Sequence, residues 1–405
     1  MKELRCYAVA APGLAELVAT ELHALGIAGQ ADAGGVSWSG DLRALYQANL
    51  WLRTATRVIV RVARFRATTF WELERRAGSV DWGAIVAPGA TVAFRVTAKK
   101  SKLYHSDAVA ERLAASVTRA VPGVRIVKAG ADDVDGEPTP GDAAPGPASG
   151  ERTQLFVVRL SHDDLMLSAD SSGAPLYQRG YRQAVAKAPL RETLAAALLL
   201  SAGWKPDEPL VDPFCGAGTI PLEAALIASR IAPGLAGRGR VPREFAFERW
   251  PGFNGNIWRE CVDAAREVAL SSPGIEIAGS DRDAGAIEAS RSNAERAGLA
   301  DAVRFEVAPV SAFPIPEGRA GWVVTNPPYG MRVGDQSDVR RLYAALGRTL
   351  RERAAGWRLR CCPLTPVWTG SPGARRGARS RRGSGRGMAG SPSGWSRDEG
   401  GVRAR

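Results

Sequence analysis

Asn326-Pro327-Pro328-Tyr329 places a side-chain amide, two rings without N–H groups and a phenol directly behind the β-branched pair Val323 and Val324. The apolar run reads as a strand, and consecutive prolines end it at once. Such a corner can hold a planar exocyclic amine. The Asn326 amide oxygen accepts its hydrogens, the prolines add no competing donor, and Tyr329 can stack on the attached ring. Alone, the tetrapeptide is as readily a Pro-Pro turn capping a strand. Two further stretches shift that balance.

Asp212-Pro213-Phe214-Cys215-Gly216-Ala217-Gly218-Thr219 joins an apolar strand to the helical run IPLEAALIAS. Gly216 and Gly218 allow a tight turn and close approach of backbone to a ligand, and the helix N-terminus aims amides at it. Pro221 stands where a dinucleotide fingerprint needs its third glycine, and no GK[ST] completes a P-loop. Ser280-Asp281-Arg282-Asp283 ends the next strand. A carboxylate there can accept both hydroxyls of a ribose held over the glycine loop. Asp281 is the better placed of the two acids, and Asp283 also suits a helix N-cap.

The elements that must carry these residues alternate strand and helix from residue 188 onward. PLRETLAAALLLSAGW is a helix with Pro189 in its first turn and Gly203 at its end. PLVDP, IEIAGSD, VRFEV and GWVVTN are strands separated by helices, which implies a parallel, doubly wound sheet. Before residue 171 the pattern is mixed. Strands are expected at 4–10, 35–38, RVIVRVARF, TVAFRVTAK, VRIVK and TQLFVVRL, with helices at 14–25, LRALYQANLW, FWELERRAG and SDAVAERLAASVTRAV. This reads as small α+β units.

At this point the pattern resembles a known family. VDPFCGAGTIPLEAAL, GSDRDAGAIEASRSNAERAG and VVTNPPYGMR are similar to the class I S-adenosylmethionine-dependent methyltransferases that act on exocyclic amines. Closest in pattern are bacterial RNA guanine-N2 methyltransferases with an N-terminal THUMP domain, which act on 23S rRNA. SADSSGAPLYQRGYRQAVAKAPLRETLAAALLLSAGW resembles their domain junction, and NLWLRTATRVIVRVARF and KKSKLYHSDAVAERL resemble their N-terminal segments. The resemblance implies a ferredoxin-like region at 1–60, a THUMP RNA-binding domain at 61–170, a linker at 171–187 and a Rossmann-like methyltransferase domain at 188–357. It implies S-adenosylmethionine as cofactor, with Asp212, Cys215, Gly216, Gly218, Thr219, Asp281 and Asp283 as its contacts. Asn326, Pro327, Pro328 and Tyr329 carry the catalysis, on 23S rRNA or on tRNA. The chain departs from the family after the third strand, where a carboxylate commonly meets the adenine and Ala308 and Pro309 stand here. Adenine-N6 methylation of DNA, or RNA binding without turnover, are the competing readings.

Composition sets the limits. The chain has 405 residues, 45% hydrophobic and 24% charged, enough for two or three domains with ordinary cores. Five cysteines form no paired spacing, and none of the three histidines lies beyond His162, so no metal is expected. No signal pattern or membrane-length apolar run occurs, and a reduced, cytoplasmic protein is expected. The formal net charge is +12, yet residues 358–405 hold eleven arginines against Asp398 and Glu399. RLRCCPLTPVW at its start could supply one poor strand broken by Pro363, and the Arg/Gly/Ser-rich remainder lacks apolar periodicity, so that 358–405 reads chiefly as a disordered tail. It suits either a grip on RNA phosphates or, better, the product of a shifted reading frame, which would leave the sheet incomplete at its C-terminal side. Residues 131–150 carry five acids, four prolines and no base, and read as a solvated loop.

Overall fold

The computed structural model describes residues 3–129, 152–182, 190–328 and 336–362. The acidic loop at 131–150, Pro189, Tyr329 and residues 363–405 lie outside the described residues. In chain order the N-terminal half contains β1 (Leu4–Ala10), α1 (Ala15–Ala24), β2 (Gln30–Asp32), β3 (Gly35–Gly40), α2 (Leu42–Trp51), β4 (Ala55–Arg66), α3 (Phe70–Ala77), β5 (Thr91–Lys99), α4 (Ser106–Ala120), β6 (Arg125–Ile126), β7 (Thr153–Ser161) and β8 (Asp164–Asp170). The C-terminal half contains α5 (Glu192–Ala202), β9 (Leu210–Asp212), α6 (Thr219–Ala228), α7 (Gly255–Glu267), β10 (Ile277–Asp281), α8 (Ala284–Arg296), β11 (Arg304–Val307), β12 (Trp322–Thr325), α9 (Gln336–Arg353) and β13 (Arg358–Cys361).

The N-terminal strands form one mixed sheet in the order β2-β3-β1-β4-β8-β7-β5-β6. The expected division at residues 60 and 61 falls inside β4, which pairs with β1 on one side and β8 on the other. Alternation decides the two faces. Cys6, Ala8, Val58, Val60, Phe94, Phe156 and Val158 point into the core shared with α1, α2, α3 and α4. Tyr7, Val9, Ile59, Ala93, Leu155 and Val157 point the other way. VRIVK contributes only the two-residue β6.

The C-terminal strands form a parallel sheet in the order β11-β10-β9-β12-β13. This is a doubly wound sheet of five strands among the described residues. Its last strand begins at Arg358, so the one strand that RLRCCPLTPVW could supply is formed and the segment read chiefly as a disordered tail opens with sheet. Arg358 and Arg360 alternate with Leu359 and Cys361 there, and Arg358 reaches Glu208 and lies 4.5 Å over the Trp322 ring. The expected role of Pro189 lies outside the described residues, and α5 starts at Glu192. Gly203 ends it at φ +78, as a left-handed cap requires.

Residues 171–182, expected to be a linker, are packed between the halves. Ser171, Ser172, Leu176, Arg179 and Tyr181 are at most 3% exposed. Arg179 donates to the carbonyl oxygens of Leu176 and Arg53, both at 2.6 Å, and faces Glu223 of α6 at 3.4 Å. One hydrophobic cluster runs unbroken from Cys6 to Val324 across both sheets.

Candidate active site

Strand order brings the three motifs together. β9 is central, β10 and β12 flank it, and all three are parallel, so their carboxyl ends open on one side of the sheet. Asp212, Asp281 and Asn326 stand at those ends.

The glycine loop turns through Gly216 (φ +52) and Gly218 (φ +83), the latter capping α6. The two glycines face different surroundings. A Cβ on Gly218 would stand 2.9 Å from the Phe305 ring and 3.1 Å from Ser290 Cβ, so close packing excludes one. A Cβ on Gly216 would meet no atom within 4 Å, so this backbone borders open space. α8 lashes the loop down from beneath. The Ser290 hydroxyl donates to the Gly216 carbonyl at 2.7 Å, and the Asn293 amide to the Ala217 carbonyl at 3.0 Å. Sequence reasoning missed both. Their signal was two polar residues three apart on the buried face of an amphipathic helix.

The Asp281 carboxylate spans the loop and the following turn, accepting from Gly216 N–H at 3.2 Å and from Asp283 N–H at 3.0 Å. Asp283 is engaged in capping α8, where its Oδ1 accepts from Gly285 N–H at 2.9 Å and Ala286 N–H at 3.4 Å. Asp212 is buried. Its Oδ1 accepts from the Thr325 hydroxyl at 2.5 Å and from Phe214 N–H at 3.0 Å, joining β9 to β12. Burial pushes its carboxyl up to about 7, against those two donors and with the Asp281 charge adding to the rise. Cys215 is buried, and desolvation raises its thiol well above the ordinary value. The Thr219 hydroxyl accepts from Arg182 at 2.9 Å, and Arg182 also donates to the Leu190 carbonyl at 2.6 Å. Arg182 pairs with Glu192 at 3.2 Å, whose carboxyl burial pushes up to about 7.

Asn326 follows β12 with its side-chain Oδ1 buried and, among the described residues, without a hydrogen-bond partner. Pro327 is buried and Pro328 half-buried behind it. Tyr329 lies outside the described residues. Ala308, where the family pattern leads one to look for an acid, donates its N–H to the Asp281 carbonyl at 3.0 Å. Glu306 pairs with Arg304 at 2.8 Å. Among the described residues no group of three His, Cys, Asp or Glu side chains converges as a metal site would.

Comparison with known proteins agrees with this geometry. Residues 179–365 match the RMKL-like methyltransferase domain, and residues 5–59 match the RlmL ferredoxin-like domain. A structure from Listeria monocytogenes str. 4b F2365, described as a predicted N6-adenine-specific DNA methylase, is 34% identical with a TM-score of 0.75, over 89% of this chain and 88% of that one. SMU.472, whose structure is a complex with SAH, is 31% identical with a TM-score of 0.74, over 89% of each chain. TrmN from Thermus thermophilus, 20% identical with a TM-score of 0.56 over 85% of this chain and 84% of its own, shares the fold. An N-terminal ferredoxin-like region, a five-stranded parallel sheet and these matches along most of its length place the chain in the family of RMKL-like methyltransferases that carry an RlmL-type ferredoxin-like domain.

Proposed function

We propose that this S-adenosylmethionine-dependent methyltransferase methylates the exocyclic N2 amine of a guanine in structured RNA, with 23S rRNA as the substrate. The observation that carries the reading is the buried Asn326 Oδ1 at the end of β12, which has no hydrogen-bond partner among the described residues. Leaving a buried acceptor unsatisfied costs about 1–3 kcal/mol, and a donor on the substrate removes that cost. An amine turned toward Asn326 supplies one.

The residues present fit the cofactor. The open side of Gly216 admits a ligand against the backbone, and Asp281 keeps lone pairs beyond its two amide bonds for ribose hydroxyls. Asp212, Cys215, Thr219 and Asp283 shape that cradle from behind. S-adenosylmethionine supplies a methyl group already activated on sulfonium. What remains for the protein is alignment, which can contribute roughly 7–11 kcal/mol. A guanine amine is a weak nucleophile because its lone pair is delocalised into the ring. Asn326 Oδ1 and the Pro327 carbonyl hold its hydrogens and turn the lone pair outward, and Tyr329 stacks on the base. The methylated amine then releases one proton to solvent, since no base is needed for a product this acidic. Residues 61–170 act as the RNA-binding THUMP domain, and the setting is cytoplasmic.

Guanine in RNA is favoured by the RlmL-type domain at residues 5–59. Adenine N6 in DNA is the second reading, favoured by the description of the Listeria relative. The test incubates the protein with tritiated S-adenosylmethionine and either unmodified 23S rRNA or duplex DNA. Label in N2-methylguanosine that falls about 100-fold or more in Asn326→Ala is expected, the scale of losing one preorganised polar contact. Label in N6-methyladenine of DNA overturns the substrate, and no label from protein that binds SAH overturns the activity.

A further inference from the structure

The face of the N-terminal sheet that carries Tyr7, Val9, Ile59, Leu155 and Val157 packs, among the described residues, against Val127 and Ala129 and against no helix. A cavity of about 190 Å³ opens there, lined by Tyr7, Asp32, Arg61, Arg159, Met166 and Ser168. The register explains why these side chains meet. Arg61 of β4 stands opposite Ser168 of β8, and Arg159 of β7 stands opposite Met166 of β8. The two arginines therefore rise on either side of β8, on strands that sheet spacing sets about 10 Å apart.

Asp32 in the same cavity offsets part of their charge, its carboxylate interacting with Arg61, which leaves the pair with a net positive charge. The nearby acids pair with other cations: Asp164 with Arg64 at 2.6 Å, Asp163 with Arg66 at 3.8 Å and Asp170 with buried Arg57. Asp32 Oδ1 accepts from the Tyr7 hydroxyl at 2.6 Å and from Gly34 N–H at 2.8 Å. Neither Arg61 nor Arg159 forms an ion pair or hydrogen bond among the described residues. The Arg61 guanidinium lies over the Tyr7 ring, 4.8 Å from its centroid, a cation–π contact that holds it in the cavity.

We infer that this open face is a nucleic-acid contact in which Arg61 and Arg159 hold one unpaired nucleotide of the RNA substrate, the base stacked on the Arg61 plane and the phosphate at Arg159. The inference rests on the RNA reading above and adds where on the N-terminal half the strand lies. Arginine planes stack on unpaired bases, and guanidinium forks bind phosphate. The cavity has roughly the volume of six waters, room for a phosphate and the edge of a base.

The test measures binding of a labelled single-stranded RNA of mixed sequence by anisotropy across a salt series. It compares the full chain with Arg61→Gln/Arg159→Gln and with Met166→Glu, which keeps both arginines but sets a carboxylate between them. Both variants should bind about 10- to 100-fold more weakly. The log–log salt slope of the double variant should fall by about 0.7–1.4, the value for one to two phosphate contacts on a single strand. Unchanged SAH binding by each variant reports an intact fold. Variants that bind RNA with wild-type affinity and slope overturn the pocket and leave the RNA reading standing. A wild-type chain that binds no RNA removes both.

Discussion

Asp212 sits at the base of the site with its carboxylate turned into the protein, toward Thr325 and Phe214 N–H. Its folded-state value of about 7 lies above the ordinary value of 3.8 because burial disfavours the charge. The sign of the linkage follows. Between about pH 4 and pH 7 the unfolded chain has released this proton while the folded chain retains it, so stability falls as pH rises, by up to about 1.4 kcal/mol per unit. Above pH 7 both states are ionised and the loss is complete. Below pH 4 it is absent. Asn at this position keeps an acceptor for both donors and carries no charge. Asp212→Asn should therefore gain on the wild type steadily from pH 4 to pH 7 in cofactor-free urea unfolding, then hold a constant lead. A lead that is the same at both ends of that range would mean that Asp212 is ionised throughout.

The helix α8 does more than cover the sheet. Through Ser290 and Asn293 it holds two carbonyls of the glycine loop, and through the Asp283 cap it fixes the turn after Asp281. Ser290→Ala removes the donor to the Gly216 carbonyl without opening a large void. It should weaken SAH binding by about 1 kcal/mol, roughly fivefold in Kd, with little change in Tm. Calorimetric titration checks this, and an unchanged Kd would mean the loop holds its shape without α8. Much of this region was legible beforehand. β9, α6, β10, α8, β11 and β12 fall where period and turn residues put them, because each carries a strong local signal. The lashings were not legible, since Ser290 and Gly216 are distant in sequence and a serine in a helix has no fixed meaning. α7 was missed: GNIWRECVDAARE buries only Trp258, Cys261, Val262 and Ala265, a sparse stripe among charges. Its Asn254 cap, which accepts from Asn256 and Ile257, was its one local marker. Gly321, an unremarked residue, admits β12 beside Pro209, whose carbonyl oxygen would stand 2.1 Å from a Cβ.

At the scale of the whole molecule, the halves that composition separates share a single core. Residues 171–182 read as a polar linker because their partners are far off in the chain: Arg179 meets Glu223, Tyr181 donates to Glu223 at 3.1 Å, and Arg296 donates to the Tyr181 carbonyl at 2.7 Å. Arg53, from the N-terminal half, donates to the Ile231 carbonyl at 2.7 Å. A segment tied this way transmits stability in both directions. The described body should unfold in one calorimetric transition, and SAH bound at the glycine loop should raise the temperature at which the N-terminal sheet melts. Arg179→Ala tests the tie. It removes the ion-pair partner of buried Glu223, leaving Arg53 as a cation beyond ion-pair distance, and takes the donor from two carbonyls, a loss on the order of 3–5 kcal/mol. If the junction couples the halves, the variant should split the transition in two, and SAH should then shift only the part that contains α6. A variant that still melts in one step, displaced as a whole, would mean that the continuous apolar cluster couples the halves without the arginine.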